Sequence, residues 1–290
     1  MKRIGRLIRF IFALIIIFMG VFWLSDHFIE KADGYQSNYI YVLERDTQKV
    51  VLEKRAEHKA YPASLAKMMT TIVALENIDD LSAIAPIDVE TYKQMVDSGA
   101  SMAGFYGKET TTYRDLLYGT MLASGGEAAN SLAINISGNI EDFIVLMNQK
   151  ANELGLKDIH FTNVEGLHNR KQVTTARDMA VLLDYCLQNG DFRAIFTKPQ
   201  FTSTATVDHP NGVVITSTVL SKIPDQTGLD FEIIGGKSGT TIKAGQCWAV
   251  LGTKNGKEYI SIVMGAEIED IYSPDYAQID DTIRIFSSIK

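Results

Sequence analysis

Tyr61-Pro62-Ala63-Ser64-Leu65-Ala66-Lys67 is the stretch from which the rest of the chain can be read. Tyr61-Pro62 makes an extended approach, because a residue before proline avoids the helical region. From Ser64 onward, Leu65, Ala66, Met68, Met69, Ile72, Val73 and Leu75 give the mostly apolar pattern of a buried helix. Ser64 and Lys67 then stand at i and i+3 in its first turn, on one face. A serine hydroxyl is a poor nucleophile unless a neighbouring base takes its proton. A lysine serves as that base only where burial or a second cation lowers its pKa toward neutrality. The free N–H groups of a helix start add a place to bind an oxyanion. Ser-x-x-Lys alone recurs by chance as a helix start with an exposed lysine, so its meaning depends on what accompanies it.

Two further pieces accompany it. Ser124-Gly125-Gly126 follows an apolar helical run from Leu116 to Ala123. Lys237-Ser238-Gly239-Thr240 follows Phe231-Glu232-Ile233-Ile234 and Gly235-Gly236, and so begins or lines a strand. A Ser-x-x-Lys, a serine closing a helix about sixty residues later and a Lys-Ser/Thr-Gly strand, in this order, resemble the penicillin-binding proteins and serine β-lactamases.

The 290 residues leave room for one large domain or two small ones. With 28 basic against 35 acidic residues and no basic stripe beyond the N-terminus, nothing suits a nucleic-acid partner. Lys2, Arg3, Arg6 and Arg9 precede an uncharged run from Phe10 to Leu24. Fifteen helical residues span about 22 Å, short of a hydrocarbon core of about 30 Å. Snorkelling of Arg6 and Arg9 would let Ile4, Leu7 and Ile8 extend the span. A cleaved signal peptide is the rival reading; its best small-x-small triplet, Ala32-Asp33-Gly34, lies beyond Asp26, His27, Glu30 and Lys31. The expectation is an uncleaved single-pass anchor through residues 10–24. Residues 1–33 then form a cytoplasmic stub, anchor and spacer, and residues 34–290 an extracellular domain at the cell membrane.

Cys186 and Cys247, in an apolar helix and an apolar strand, read as buried free thiols. Tyr39–Leu43 and Lys49–Glu53 read as a hairpin about Asp46-Thr47-Gln48. Helical patterns follow at 112–123, 127–136, 140–154 and 175–187, with an irregular Ser-, Gly- and Ala-rich segment at 82–107. Strands are expected at 201–207 and 213–218 around His209-Pro210-Asn211-Gly212. Lys254-Asn255-Gly256-Lys257 reads as a type I′ turn between strands at 246–252 and 259–264, and a last helix runs from about 275 to 289 with Pro274 at its entry. Strands from both ends with helices between them predict an α+β fold, one antiparallel sheet built from the two chain ends and covered by helices.

That layout agrees with the β-lactamase/penicillin-binding, transpeptidase-like fold that the resemblance implies. Within that superfamily the chain resembles the D-alanyl-D-alanine carboxypeptidases with a low-molecular-weight penicillin-binding domain. The resemblance rests on residues 151–156, 161–167 (Phe-Thr-Asn-Val-Glu-Gly-Leu), 174–180 and 237–245, and spans residues 61–264. It implies that Ser64 attacks the carbonyl between two D-alanines of a peptidoglycan pentapeptide, with Lys67 as general base and Ser124 passing the proton to the leaving amine. Lys237 would help depress Lys67 and attract the terminal carboxylate, with the Ser238 and Thr240 hydroxyls completing that contact. Backbone N–H groups of Ser64 and Thr240 would form the oxyanion hole, and Gly239 would let the strand approach the substrate. Penicillin and other β-lactams would acylate Ser64 covalently.

One departure is plain: the second motif of the family is Ser-x-Asn, whose asparagine helps hold the catalytic lysine and the substrate amide, and here its third position is Gly126. Glu127 or Asn130 is a candidate substitute, against the alternative that both lie on a solvated helix face. Two other functions remain open. Glu165 invites a class A-like β-lactamase reading as a deacylating base, and Gly126 invites a non-hydrolytic β-lactam-sensing or wall-binding protein. Glu165-x-x-His168 suggests a metal pair, but the histidines are otherwise scattered, without an HExxH or Cys/His cluster, so no metal and no cofactor are expected.

Overall fold

The computed structural model describes residues 30–31, 34–223, 225–268 and 276–290. The expected membrane anchor at residues 10–24, the boundary at 33/34 and the helix entry at Pro274 lie outside them. Among the described residues no helix is long and apolar enough to cross a membrane.

In chain order the strands are β1 (Glu30–Lys31), β2 (Tyr39–Glu44), β3 (Lys49–Lys54), β4 (Gln200–Thr202), β5 (Val214–Thr216), β6 (Phe231–Thr241), β7 (Gly245–Lys254) and β8 (Lys257–Ala266). The α-helices are α1 (Lys67–Glu76), α2 (Val89–Asp97), α3 (Tyr113–Met121), α4 (Gly126–Ser137), α5 (Ile140–Glu153), α6 (Ala176–Cys186), α7 (Gly190–Phe196) and α8 (Ala277–Ser288). Six strands form one sheet in the order β1-β3-β2-β8-β7-β6. The pairings are antiparallel except for β1 with β3. Strands near the N-terminus therefore join strands near the C-terminus through β2 and β8, as the α+β reading expects.

The sheet is buried on both faces, which is why its central strands read as nearly continuous apolar runs. Successive side chains still alternate between faces. In β7, Cys247, Ala249 and Leu251 enter the larger core with α1 and α6, whereas Trp248 and Val250 enter a second core closed by α8 through Ile279, Ile285 and Phe286. Cys186 and Cys247 are free and buried. At the β7–β8 turn Asn255 and Gly256 have φ of 53° and 74°, the pair of positive values that a type I′ turn needs.

Helix starts follow local capping chemistry. Thr112 and Asp115 form a reciprocal capping box on α3, and Asn139, Thr175 and Asn189 accept N–H bonds at the starts of α5, α6 and α7. Two helices depart from expectation. The segment at 82–107 contains α2, capped by the Asp88 side chain on Thr91, and α7 lies where no helix is predicted. The expected strands at 201–207 and 213–218 shrink to β4 and β5, a separate two-stranded sheet.

Candidate active site

Ser64 lies in a 3-10 turn, Ala63–Ala66, that leads into α1 at Lys67. The expected single α-helix from Ser64 is thus a tighter turn first, in which residues i and i+3 nearly eclipse. That geometry brings Lys67 Nζ to 3.1 Å from Ser64 Oγ. Pro62 enters the turn and Ala63 takes the left-handed φ of 46°, so the nucleophile candidate follows a strained residue. Lys67 is 2 % exposed, and its ammonium also donates to the Glu165 carbonyl oxygen at 2.5 Å.

The Glu165 carbonyl is delivered by a turn with its own frame. Asn163 Oδ1 accepts from Gly166 N and from Gln172 Nε2, while Gln172 Oε1 accepts from the backbone of Thr162 and Asn163. Gly166 has φ of 89° and lies against Ala63. This is the Phe-Thr-Asn-Val-Glu-Gly-Leu stretch of 161–167, and it presents a backbone acceptor to Lys67.

Ser124 ends the loop after α3 with φ of 62°, and its Oγ accepts from Lys237 Nζ at 2.8 Å. Lys237 is fully buried in β6 and also donates to its neighbour's carbonyl, Ser238 O. Ser238 Oγ shares a 2.7 Å bond with Thr218 Oγ1. Gly239 packs against the 3-10 turn: a Cβ there would sit 2.9 Å from Ser64 N, so only a residue without a side chain allows this approach. β6 is the last strand of the sheet, and beside Ser64 its outer edge borders the site.

A cavity of about 350 Å³ opens at this junction, with Ser64, Lys67, Glu165 and Thr240 among its walls and the 98–101 loop opposite. Ser124 and Lys237 form a buried pair at its side. Both lysines are pushed below their ordinary range, first by burial. Lys67 comes down to about 8 against the opposing charges of Glu165 and Glu127. Lys237 lies well below its usual value, by burial and then by repulsion from Lys67. Burial is the main cause for both lysines, and the repulsion between the two cations adds to it.

Gly126, the departure from Ser-x-Asn, starts α4. A Cβ there would meet Met95 Sδ at 2.8 Å and Ala100 Cβ at 3.4 Å, so α2 and the loop after it fill the space beside the missing side chain. Glu127 and Asn130 do not lie on a solvated face: both are buried. Glu127 Oε1 accepts from Ala103 N and Gly104 N, which ties α4 to the loop after α2, and burial raises its pKa. Asn130 Nδ2 donates to Gly126 O at 2.9 Å and reaches Glu165 Oε2 at 3.4 Å.

Sequence reasoning brought Ser64, Lys67, Ser124, Lys237, Ser238, Gly239 and Thr240 to one place, and they are found together. It missed the Glu165 carbonyl, Thr218 and the 98–101 loop, since a backbone acceptor or a loop contact leaves no residue-type signature. Among the described residues no group of three or more His, Cys, Asp or Glu side chains is placed to hold a metal ion. His168 instead packs edge-on against Tyr61, with ring centroids 4.7 Å apart.

Known proteins resemble the chain in sequence and in fold. The D-alanyl-D-alanine carboxypeptidase DacF of Bacillus subtilis is 29% identical over 233 residues, 80% of this chain and 58% of the relative. The D-alanyl-D-alanine carboxypeptidase DacC of Escherichia coli is 31% identical over 231 residues, 77% of this chain and 55% of the relative. The chain thus spans a little over half the length of these curated relatives. The crystal structure of a Streptomyces DD-transpeptidase superposes with a TM-score of 0.75 at 26% identity, covering 87% of this chain and 95% of that one. A Mycobacterium tuberculosis D-alanyl-D-alanine carboxypeptidase gives 0.71 at 25% identity, covering 86% and 90%. With residues 26–268 matching the family's model, with Ser64 and Lys67 at the cavity wall and with Ser124 bonded to Lys237, the chain belongs to the D-alanyl-D-alanine carboxypeptidase family.

Proposed function

We propose that this protein is a serine-type D-Ala-D-Ala carboxypeptidase that trims peptidoglycan stem peptides. The observation that carries the reading is the 3.1 Å approach of buried Lys67 to Ser64 Oγ beside the edge strand β6. An extended peptide laid along that edge gains main-chain hydrogen bonds, and its scissile carbonyl comes to the 3-10 turn. In its neutral form Lys67 takes the Ser64 proton as Oγ attacks the carbonyl carbon. Backbone N–H groups of Ser64 and Thr240 stabilise the oxyanion. Ser124, bonded to Lys237, passes the proton to the departing D-alanine nitrogen as the C–N bond breaks. Water then attacks the acyl-enzyme, Ser64 recovers its proton and the shortened peptide leaves.

Lys237 is buried, donating to the Ser124 hydroxyl and to the Ser238 carbonyl, so it acts on the terminal carboxylate through Ser124, while the Ser238 and Thr240 hydroxyls complete that contact. β-Lactams fit the same pocket as covalent inhibitors. The basic residues 2–9 and uncharged residues 10–24 support a single-pass membrane anchor with the catalytic domain outside the cell. Retention of the full chain in membranes through high-salt washing, with a variant beginning near Asp33 soluble, tests that placement; protein trimmed within residues 24–34 and free in the medium defeats it.

Incubation with a fluorescent penicillin, followed by assay of D-alanine release from a pentapeptide, tests the activity. Stable labelling with release of D-alanine is the expected result. Glu165 at the cavity wall is the one observation that favours a class A-like β-lactamase, and rapid loss of label would replace the carboxypeptidase with it. Stable labelling without D-alanine release would indicate a sensor.

A further inference from the structure

The loop 98–104 that leaves α2 supplies residues 98–101 to the wall of the cavity that holds Ser64, and three hydrogen bonds fasten it to the second motif. Gly126 N donates to Ser101 O at 2.7 Å. Glu127 Oε1 accepts from Ala103 N at 2.6 Å and from Gly104 N at 3.0 Å. The approach is close because neither glycine of Ser124-Gly125-Gly126 carries a side chain. A Cβ on Gly125 would lie 2.7 Å from Ala103 Cβ, and one on Gly126 would lie 2.8 Å from Met95 Sδ and 3.4 Å from Ala100 Cβ. A carboxylate that accepts two backbone N–H groups is a stronger tie than a neutral acceptor, and truncating it leaves the N–H of buried Ala103 without its partner. The reacting groups are held by other bonds: Lys67 by Ser64 Oγ and the Glu165 carbonyl, and Ser124 by Lys237. Glu127 thus fastens the wall, while different contacts fasten the chemistry.

We propose that Glu127 is a positioning residue that shapes the substrate cavity by pinning the 98–104 loop to the second motif, against the face that Gly126 leaves bare. The inference rests on the carboxypeptidase reading of the same site. A stem peptide laid along β6 then passes between residues 240–243 and 98–101, which share the cavity wall. Affinity for the peptide depends on a carboxylate that does not touch it, and the step at Ser64 does not.

The test compares Glu127→Ala and Glu127→Gln with the parent by D-alanine release across a range of pentapeptide concentrations, by fluorescent-penicillin labelling and by amide hydrogen exchange at Ala103 and Gly104. Assay at about pH 9, above the Lys67 value of about 8, keeps most of the base neutral whether or not the Glu127 charge is present. Glu127→Ala is expected to raise KM about 5-fold or more, to leave kcat within about 2-fold and to speed exchange at both amides, while saturating penicillin still labels Ser64 in full. Glu127→Gln keeps a carbonyl oxygen for the same N–H groups and should recover most of the lost affinity. A merely stabilising role would lower the melting temperature and leave KM in place. A KM unmoved in folded Glu127→Ala, or raised equally in both variants, overturns the proposal, as does loss of labelling. Should Glu127→Ala not fold, Glu127→Asp, which draws the carboxylate back by one methylene, is held to the same criteria. A parent that releases no D-alanine defeats the carboxypeptidase reading and this inference with it, whereas an active parent whose variants keep its KM defeats this inference alone.

Discussion

Gly166 and Ala63 meet so closely that a Cβ on Gly166 would lie 2.1 Å from the Ala63 carbonyl oxygen and 2.8 Å from Ser64 N. The contact presses the 163–167 turn onto the 3-10 turn that carries the nucleophile candidate, and it fixes where the Glu165 carbonyl meets Lys67.

Gly166→Ala follows directly. The residue has φ of 89°, where a side chain is strained, and the new methyl would collide with backbone, which cannot step aside as a flexible side chain can. A loss of about 2–4 kcal/mol in stability is expected, together with slower acylation of Ser64, because the two turns must separate. Chemical denaturation and penicillin labelling measure both. A variant as stable and as fast as the parent would show that the contact does not set the site.

Ser64→Ala should abolish both penicillin labelling and D-alanine release while the fold stays intact. Ser64 lies inside the 3-10 turn and caps no helix, and Lys67 keeps its bond to the Glu165 carbonyl after the hydroxyl is gone. The stability cost is therefore about 1 kcal/mol or less. Persistent covalent labelling of the variant would exclude Ser64 as the nucleophile.

The pH dependence has a definite sign. Lys67 accepts the serine proton only when neutral, and burial brings its pKa down to about 8. Protonation below that value removes the base, so acylation should climb from about pH 6 to 9 with a midpoint near 8. Stopped-flow acylation across that range measures it. A rate that falls as pH rises through this window would rule out a lysine base.

Much of this was legible from residue types, for identifiable reasons. Asn255-Gly256 announces its turn because few other pairs adopt two positive φ values in succession, and Thr112 with Asp115 announces a helix start because both side chains cap backbone. α2 was not legible: only Thr91 and Met95 of its nine residues are buried, so the apolar period is too weak to see. Glu127 and Asn130 resembled solvated positions, but the loop after α2 covers them, a tertiary contact that helix periodicity does not encode. The lysine's second partner escaped for a simpler reason, being the backbone of Glu165.

Gly126 stands at the asparagine position of Ser-x-Asn, and its surroundings decide what an asparagine there would meet. Its φ is outside the left-handed region, so asparagine is allowed by the backbone. Its Cβ direction, however, is occupied by Met95, with Sδ at 2.8 Å and Cγ at 3.1 Å. Gly126→Asn alone should therefore cost about 1–3 kcal/mol by overpacking and leave turnover of a D-Ala-D-Ala peptide no higher than in the parent. Met95→Ala in the same chain opens the space beside Ala100, which lines the cavity. The double variant should recover stability relative to the sum of the single changes. It should also raise turnover about 5-fold or more, the worth of one transition-state hydrogen bond of about 1 kcal/mol. Thermal melts of the three variants and D-alanine release at saturating peptide measure both effects. If Gly126→Asn is as stable as the parent, Met95 is not the obstacle. If the double variant is well folded but no faster, this protein has no use for an asparagine at that position.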